Sequence, residues 1–255
     1  MNLHLANAHI LITGATRGIG RAIAFTAAEE GANISFCARN AKAVHAMQGE
    51  LATTKGVKAF GRALDVANEP ALTQFINDAA QHFGQLDGVV ANASALVDGS
   101  SRKAFEDAFN TDLMHTRCAA ETARPHLEKS KRASFLAISS ISGSEAYGYE
   151  AVAYGTMKAA LLFYVKNFAR DVAAKGIRAN IVSPGTTLFE GGHWDKRRKE
   201  QPEVFAENLA YNPMGRMATA EEIANVAVFL LSPRASFVSG ANVVVDGTLT
   251  TRIPN

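Results

Sequence analysis

The chain has 255 residues, of which 47% are hydrophobic and 20% charged, and its 26 basic residues are nearly balanced by 24 acidic ones. Because a nucleic-acid-binding protein usually carries a strongly basic face, this balance predicts no nucleic-acid partner. No apolar run reaches the length of a membrane span, and the segment 1–7 lacks the basic and apolar regions of a signal peptide. We therefore expect no membrane association and a cytoplasmic location.

The cysteines and histidines predict no metal site. Cys37 and Cys118 lie far apart in periodic segments, a pattern typical of reduced thiols in the core of a cytosolic protein. His193 stands two positions before Asp195, which is the nearest approach to a ligand pair in the chain. Zinc sites need three or four protein ligands, so this pair does not indicate one.

Short β-branched segments alternate with helical patterns along the whole chain. The predicted strands are His9–Thr13, Asn33–Cys37, Val57–Leu64, Asp87–Ala91, Ala133–Ser139, Ile177–Val182 and Asn242–Val245. The predicted helices are about Ile19–Glu30, a segment ending near Thr53, Glu69–Phe83, Lys103–Glu128, Tyr154–Lys175 and Thr219–Leu231, and the segment Leu188–Leu209 is irregular or helical.

This alternation predicts an α/β fold with a single domain over residues 1–255. Repeated strand–helix–strand units give a doubly wound, mostly parallel sheet of the Rossmann type, with about seven strands and helices on both faces. Ligands of such sheets bind beyond the carboxyl ends of the strands. We therefore expect the functional residues in the loops that follow the strands.

The loop after the first predicted strand is rich in glycine. The run Thr13–Gly20, with the sequence TGATRGIG, leads from the strand into a helix. Glycines allow a tight turn and a close approach of the backbone to a ligand. The amino terminus of the helix offers free N–H groups and a positive dipole to a pyrophosphate. The run therefore predicts a dinucleotide site, although a purely structural glycine turn is the alternative.

The end of the second predicted strand indicates which dinucleotide binds. A carboxylate there would hold the ribose of NAD, but Ala38 occupies the expected place and Arg39 follows it. A guanidinium can donate two hydrogen bonds to a 2′-phosphate, and Arg17 in the glycine loop could add a second cation. We therefore predict NADP(H). The alternative is that both arginines are ordinary surface residues and that NAD(H) binds without a carboxylate.

Tyr154 and Lys158 stand four residues apart in a predicted helix, so both side chains lie on one face. A phenol has an ordinary pKa near 10, and an adjacent cation favours the phenolate. A lysine together with a cationic nicotinamide ring could bring the pKa of the phenol to about 7, which requires about 4 kcal/mol. The pair predicts a proton donor and acceptor.

Together these motifs make the chain similar to the short-chain dehydrogenase/reductase family over essentially its whole length. The residues that carry the resemblance are Thr13–Gly20, Asp65-Val66, Ala91-Asn92-Ala93, Ser139-Ser140, Tyr154 with Lys158, and Pro184-Gly185. Among members, the chain looks most like 3-oxoacyl-thioester reductases, which act on acyl carrier protein substrates, and related ketone or sugar-alcohol dehydrogenases.

The resemblance implies a role for each matching residue. Tyr154 would be the acid and base, Lys158 would bind the nicotinamide ribose and lower the pKa of the tyrosine, and Ser140 would hydrogen-bond the substrate carbonyl, with Ser139 and Ser142 as alternatives. The implied coenzyme contacts are Gly14, Thr16, Arg17, Gly18, Ile19, Gly20, Arg39, Asp65, Val66, Asn92, Ala93, Tyr154, Lys158, Pro184, Gly185 and Thr187, with Thr186 as a further candidate.

The chain departs from the family pattern at two positions. Ser94 stands where the family usually has glycine, and its added Cβ predicts a shifted or strained loop close to the coenzyme. Asp112 falls where a relay asparagine is usual, and Asn110 would point elsewhere on a helix. A carboxylate lacks the donors of an amide, and a negative charge near Lys158 would alter the charge that tunes Tyr154. We expect Asp112 to be a member of the relay.

The resemblance implies an NADP(H)-dependent oxidoreductase that transfers a hydride between the nicotinamide and a ketone or secondary alcohol. The alternatives are a nucleotide-bound scaffold or sensor with little turnover, and an NAD-linked sugar-alcohol dehydrogenase. A segment of about residues 188–210 is the expected substrate lid, and its basic run Lys196–Lys199 suits either an acyl carrier or plain solvent exposure. The family also implies a homotetramer, consistent with the apolar surface of the helix after Tyr154.

Overall fold

The computed structural model describes residues 1–146 and 149–252, and of Tyr149 only the backbone. Its seven strands form one sheet in the order β3-β2-β1-β4-β5-β6-β7, and every neighbouring pair is parallel. The strands are β1 (His9–Thr13), β2 (Asn33–Ala38), β3 (Ala59–Ala63), β4 (Gly88–Ala91), β5 (Ser134–Ile138), β6 (Arg178–Pro184) and β7 (Asn242–Val245). The predicted doubly wound parallel sheet is confirmed.

The α-helices in the described part of the chain cover both faces of this sheet. They are α1 (Gly18–Glu29), α2 (Ala41–Ala52), α3 (Glu69–Phe83), α4 (Arg102–Ala108), α5 (His115–Leu127), α6 (Val152–Val172), α7 (His193–Glu200), α8 (Pro202–Ala210) and α9 (Ala220–Leu231). No helix among the described residues has the length and apolar character needed to cross a membrane.

The first strand lies at the centre of the sheet and has a buried layer on each side. Successive side chains of a strand point to opposite faces. Ile10 and Ile12 accordingly pack in the layer that contains α1 and α9, whereas Leu11 packs in the layer that contains α3, α5 and α6. Strand order reverses between β1 and β4, and a crevice at such a point is where doubly wound sheets bind ligands.

The long helix predicted before β5 is interrupted. Between α4 and α5 the chain forms one π-helical turn, Phe109–Met114. A π turn inserts an extra residue into a helix and frequently marks a functional site. Here it buries Asp112 completely and leaves Asn110 exposed, so the two side chains have different surroundings.

The segment after β6 forms two short helices, α7 and α8, where the sequence left the choice between helix and irregular structure open. Asp195 in the first turn of α7 is buried, and its carboxylate accepts hydrogen bonds from the Gly191 N–H at 2.9 Å and from Arg198 and Lys199, each at 2.7 Å. Much of the basic run of this segment is therefore paired within the segment itself.

Candidate active site

The glycine-rich loop packs directly against the loop that follows β4. Gly14 has a φ of +67°, and a Cβ added there would lie 2.9 Å from the Cα of Ala93. A Cβ on Gly20 would lie 2.4 Å from the side-chain nitrogen of Asn92. No side chain caps the amino terminus of α1, and its first turn contains no acidic residue. The free N–H groups of this turn therefore fit the pyrophosphate of a dinucleotide.

Asn92 fixes the shape of the glycine loop. Its side-chain amide donates to the backbone oxygens of Thr13 at 2.9 Å and Gly14 at 3.0 Å, and its backbone N–H donates to the Thr13 hydroxyl. Both amide hydrogens are used within the protein. Asn92 thus lies beside the predicted coenzyme site, but its side chain supports the loop.

His115 is a buried residue of the site that the sequence did not single out. Its Nε2 lies 2.8 Å from the Thr13 hydroxyl, and its Nδ1 lies 2.8 Å from the Thr111 carbonyl oxygen. Burial lowers the pKa of this histidine to about 4, so the ring is neutral at physiological pH. It connects β1 with the π turn, and no spacing in the sequence marks this contact.

The two arginines predicted to bind a 2′-phosphate are both exposed but differ in their contacts. Arg39 is exposed after β2, at the carboxyl edge of the sheet. Arg17 is also exposed, but it donates to the Gly191 carbonyl oxygen at 3.1 Å and so contacts the segment after β6. Of the other implied coenzyme contacts, Asp65 is exposed and Val66 is buried in the core.

Tyr154 and Lys158 lie in the first two turns of α6, on one face of the helix. The Lys158 Nζ lies 5.4 Å from the centre of the Tyr154 ring. The lysine is 2% exposed, and its ammonium donates to the Ile138 carbonyl oxygen at the end of β5 at 2.9 Å. A hydrogen bond of 3.0 Å from the Ser139 hydroxyl to the Lys158 carbonyl also fixes α6 against β5.

Asp112 and Lys158 form a buried ion pair. The Asp112 Oδ1 lies 3.0 Å from the Lys158 Nζ, and the aspartate is 0% exposed. The other carboxylate oxygen, Oδ2, accepts a hydrogen bond from the Ala95 N–H at 3.1 Å. Apart from this ion pair, Oδ1 has no hydrogen-bond partner of good geometry in the structure. The π turn therefore places a carboxylate next to the Lys158 ammonium, which is the only ammonium beside Tyr154 in the described residues.

Burial raises the pKa of Tyr154 above its ordinary value. The Lys158 ammonium and the Ser140 hydroxyl lower the pKa, whereas the Asp112 carboxylate raises it further. The lysine thus acts in the predicted direction, but in the protein alone the burial of the phenol and the Asp112 carboxylate together outweigh it.

Ser140 is the serine that the geometry favours among the three candidates. Its Oγ accepts a hydrogen bond from the Ser142 N–H at 3.1 Å, and its own hydroxyl hydrogen stays available to a substrate oxygen. The hydroxyl also interacts with Tyr154. Ser139, in contrast, uses its hydroxyl on the Lys158 carbonyl.

The residues at the end of β6 and directly after it connect the sheet with the segment that contains α7 and α8. Pro184 ends the strand, and Gly185 donates its N–H to the Val245 carbonyl oxygen. The Thr187 hydroxyl donates to the Gly185 carbonyl oxygen at 3.1 Å, and the Thr186 hydroxyl donates to the side chain of Asn212 at 2.9 Å. Both threonines, which are candidate coenzyme contacts, therefore have hydrogen-bond partners within the protein.

Phe189 joins this segment to the glycine loop. Its ring carbons lie 2.6 Å from where a Cβ on Gly18 would stand and 2.7 Å from where one on Gly192 would stand. Together with the bond from Arg17 to Gly191, this contact places the start of the predicted lid directly over the loop. No pattern in the sequence indicates the contact of Phe189 with the glycine loop.

The loop that carries Ser94 contains a residue in the left-handed region of backbone conformation. Leu96, two residues later, has a φ of +48°, which is rare for a residue with a large side chain. Its N–H donates to the Ser94 hydroxyl at 3.2 Å. Residues 147 and 148, which precede α6 and Tyr154, lie outside the described residues. Across the described chain, no cluster of three His, Cys, Asp or Glu residues could hold a metal ion.

A family model described as enoyl-(acyl carrier protein) reductase matches residues 14–250. The chain belongs to the short-chain dehydrogenase/reductase family. It is 40% identical over 245 residues to isoepoxydon dehydrogenase patN of Penicillium expansum, with 95% of each chain covered. It is 31% identical to 3-oxoacyl-[acyl-carrier-protein] reductase FabG of Escherichia coli, with 93% of this chain and 95% of FabG covered.

Solved structures of short-chain dehydrogenases/reductases share the whole fold. The L-sorbose reductase of Gluconobacter frateurii, complexed with NADPH and L-sorbose, has a TM-score of 0.92 and is 27% identical, with 99% of this chain and 100% of that chain covered. A 7α-hydroxysteroid dehydrogenase complexed with NADH has a TM-score of 0.90 and is 30% identical, with 97% and 96% covered. This short-chain dehydrogenase/reductase is therefore an oxidoreductase acting on CH–OH groups with a nicotinamide coenzyme.

Proposed function

We propose that this enzyme is an NADP(H)-dependent ketone reductase that also oxidises the corresponding secondary alcohols. The observation that carries the proposal is the convergence of Tyr154, Lys158 and Ser140 at the carboxyl end of β5. The phenol interacts there with both the ammonium and the hydroxyl. A carbonyl oxygen placed among them would meet both a proton donor and a hydrogen-bond donor.

Each of these residues has one part in the reaction. The nicotinamide coenzyme, when bound, supplies the hydride. Tyr154 donates its proton to the substrate oxygen as negative charge develops there, and Ser140 donates a hydrogen bond to the same oxygen. Lys158 binds the nicotinamide ribose and favours the phenolate that remains. Alcohol oxidation uses the same groups in reverse, and Asp112 acts in the relay through its contact with Lys158.

We propose that NADP(H) is the preferred coenzyme and NAD(H) the second choice. Ala38 provides no carboxylate for a ribose hydroxyl, and the exposed guanidinium of Arg39 suits a 2′-phosphate. The L-sorbose reductase structure holds NADPH, which supports this choice, although the 7α-hydroxysteroid dehydrogenase structure holds NADH. From the family resemblance we also propose that the coenzyme contacts the glycine loop, Asp65, Val66, Ala93 and the residues after β6.

The lid of residues 188–210 favours a small hydroxylated substrate over an acyl carrier protein. Docking of an acidic carrier would need several free cations, but three of the four in the basic run have acidic partners. Arg198 and Lys199 pair with the buried Asp195, and Arg197 lies 3.8 Å from Asp98, which leaves the exposed Lys196 as the one cation of the run without an ion pair among the described residues. The relatives named for isoepoxydon and L-sorbose support the same choice. We therefore propose that the chain shares the fold and the chemistry of 3-oxoacyl-thioester reductases but does not share their acyl carrier protein substrate.

The substitution Tyr154→Phe tests the proposed function. We would assay wild type and variant with NADPH on L-sorbose and a 3-oxoacyl thioester, and with NADP⁺ on isoepoxydon. The wild type should turn over at least one compound, and the variant should lose at least about 10²-fold in turnover while binding NADPH as before. Near wild-type turnover of the variant would remove Tyr154 as the proton donor. If the wild type turned over none of the compounds, a scaffold or sensor role would be favoured.

We propose that the chain is one domain, acts in the cytoplasm and assembles as a homotetramer. A shallow apolar groove between the π turn and α6 supports the assembly. It is lined by Leu113, Met114, Arg117, Ala160, Phe163, Tyr164 and Asn167. Phe163 at this groove is 76% exposed, an unusual position for a phenylalanine. Size-exclusion chromatography with light scattering would measure the number of chains, and a monomer would contradict the assembly.

A further inference from the structure

The buried carboxylate beside the catalytic lysine has a consequence for the direction of the reaction. We propose that Asp112 is a positioning residue that holds the Lys158 ammonium in place and offsets its charge, so that Tyr154 keeps its proton to higher pH and the site is set for carbonyl reduction. This inference rests on the proposed function, because it concerns the proton that Tyr154 transfers.

Contacts to both of its oxygens hold the Asp112 carboxylate in place. Its side chain is completely buried on a π turn, with one oxygen fixed by the Ala95 N–H and the other 3.0 Å from the Lys158 ammonium. The Thr116 hydroxyl donates to the Asp112 backbone oxygen at 2.7 Å and so fixes the turn itself. A carboxylate held in this way cannot turn away from the lysine without breaking buried hydrogen bonds.

The charges around Tyr154 then decide which form of the phenol is favoured. On its own helix the phenol faces Lys158, from the π turn it faces Asp112, and from the end of β5 it meets the uncharged hydroxyl of Ser140. His115, the titratable neighbour of Asp112 on α5, is buried and neutral because its pKa is about 4. One positive charge is thus opposed by one negative charge, and the phenolate gains less from the lysine than it would from an unpaired ammonium.

The substitution Asp112→Asn removes this negative charge and keeps the shape of the side chain. Lys158 should stay protonated at neutral pH, because the Ile138 carbonyl still accepts one of its hydrogens and the new amide oxygen accepts another, at the loss of the hydrogen bond from the Ala95 N–H. The pKa of Tyr154 should then fall. In rate–pH profiles, reduction should begin to decline, and alcohol oxidation should begin to rise, at a pH about one unit lower than in the wild type.

The assay uses whichever of L-sorbose, the 3-oxoacyl thioester or isoepoxydon the wild type turns over fastest, and records kcat/KM from pH 5.5 to 10. Thr116→Val is the matched control, because it disturbs the same turn without changing a charge, and its profile should keep the wild-type midpoint. Asp112→Ser is a second uncharged variant, which should show the same shift if the asparagine variant does not fold.

The outcomes separate this inference from the proposed function. A uniform loss of activity with an unchanged midpoint would give Asp112 a structural role only and overturn the inference. A midpoint displaced to higher pH would also overturn it, because Asp112 would then serve mainly to keep Lys158 charged. In both cases an inactive Tyr154→Phe variant would leave the proposed function standing, whereas an active one would remove the function itself.

Discussion

Acid should destabilise this protein through His9, a fully buried histidine at the start of β1. The Nδ1 of the ring lies 2.6 Å from the Gln85 carbonyl oxygen, and the Nε2 lies 2.8 Å from the Ser35 hydroxyl. In the neutral ring, Nδ1 donates to the carbonyl and Nε2 accepts from the serine. Burial lowers the pKa of His9 from 6.5 to about 4, although the Gln85 carbonyl and the charge of Asp87 raise it in part.

The sign of the effect follows from the number of protons that each state binds. Between pH 6.5 and pH 4 the unfolded chain binds a proton at His9 and the folded chain does not, so stability falls as the pH falls through this window. From pH 8 to pH 5 the loss from His9 alone is about 2 kcal/mol. Carboxylates also titrate in acid, so a variant is needed to isolate the loss of stability that is due to His9.

The substitution His9→Asn keeps a side-chain donor and removes the titration. We would measure urea unfolding of both proteins by circular dichroism at one protein concentration, because assembly makes stability depend on concentration. The variant should be less stable at pH 8, and the difference should shrink by about 2 kcal/mol at pH 5. Between pH 8 and pH 9 the difference should stay constant. A difference that is also the same at pH 5 would refute the reasoning.

Two further substitutions address the coenzyme site. Gly20→Ala should destabilise the protein by about 1–3 kcal/mol, because the new Cβ would lie 2.4 Å from the side-chain nitrogen of Asn92 and 2.6 Å from the carbonyl oxygen of Gly14. Gly49→Ala is the control, because Gly49 is exposed on α2 and a Cβ added there would meet no neighbouring atom within 4 Å. This control should stabilise the protein by about 0.5–1 kcal/mol. Thermal melts in which Gly20→Ala is the more stable of the two variants would contradict the packing argument. Arg39→Ala should weaken NADPH binding about 10-fold or more and leave NADH binding nearly unchanged, and an unaltered preference in titrations of both coenzymes would remove the case for NADP(H).

The sequence predicted the elements best where local signals stood at both ends. Helix α3 has the bounds that were predicted, because Asn68 caps its first turn, Pro70 fits that turn, and Gly84 ends the helix with a φ of +71°. The bounds of β1 and β7 also agree with the prediction. These boundaries depend on residues within a few positions of each other, which is the range over which a sequence pattern carries information.

The parts that escaped prediction depend on contacts between distant segments. The π turn adds one residue to a helical pattern without changing its apolar character, so the predicted helix ran through it. The pairing of Asp112 with Lys158 was suspected from the family pattern, but its effect on Tyr154 depends on burial that no spacing reveals. The contact of His115 with Thr13 joins two segments that are remote in the chain, and it was missed for the same reason.

The contact between Phe189 and Gly18 imposes a joint constraint on two segments that would otherwise be engineered separately. A side chain at position 18 would collide with the Phe189 ring. Replacing Phe189 with a smaller residue would not make position 18 accept a side chain, because the φ of +56° at Gly18 disfavours residues other than glycine. Attempts to widen the substrate range by mutating position 189 must therefore leave position 18 unchanged, and they will remove the aromatic ring that packs on the glycine loop.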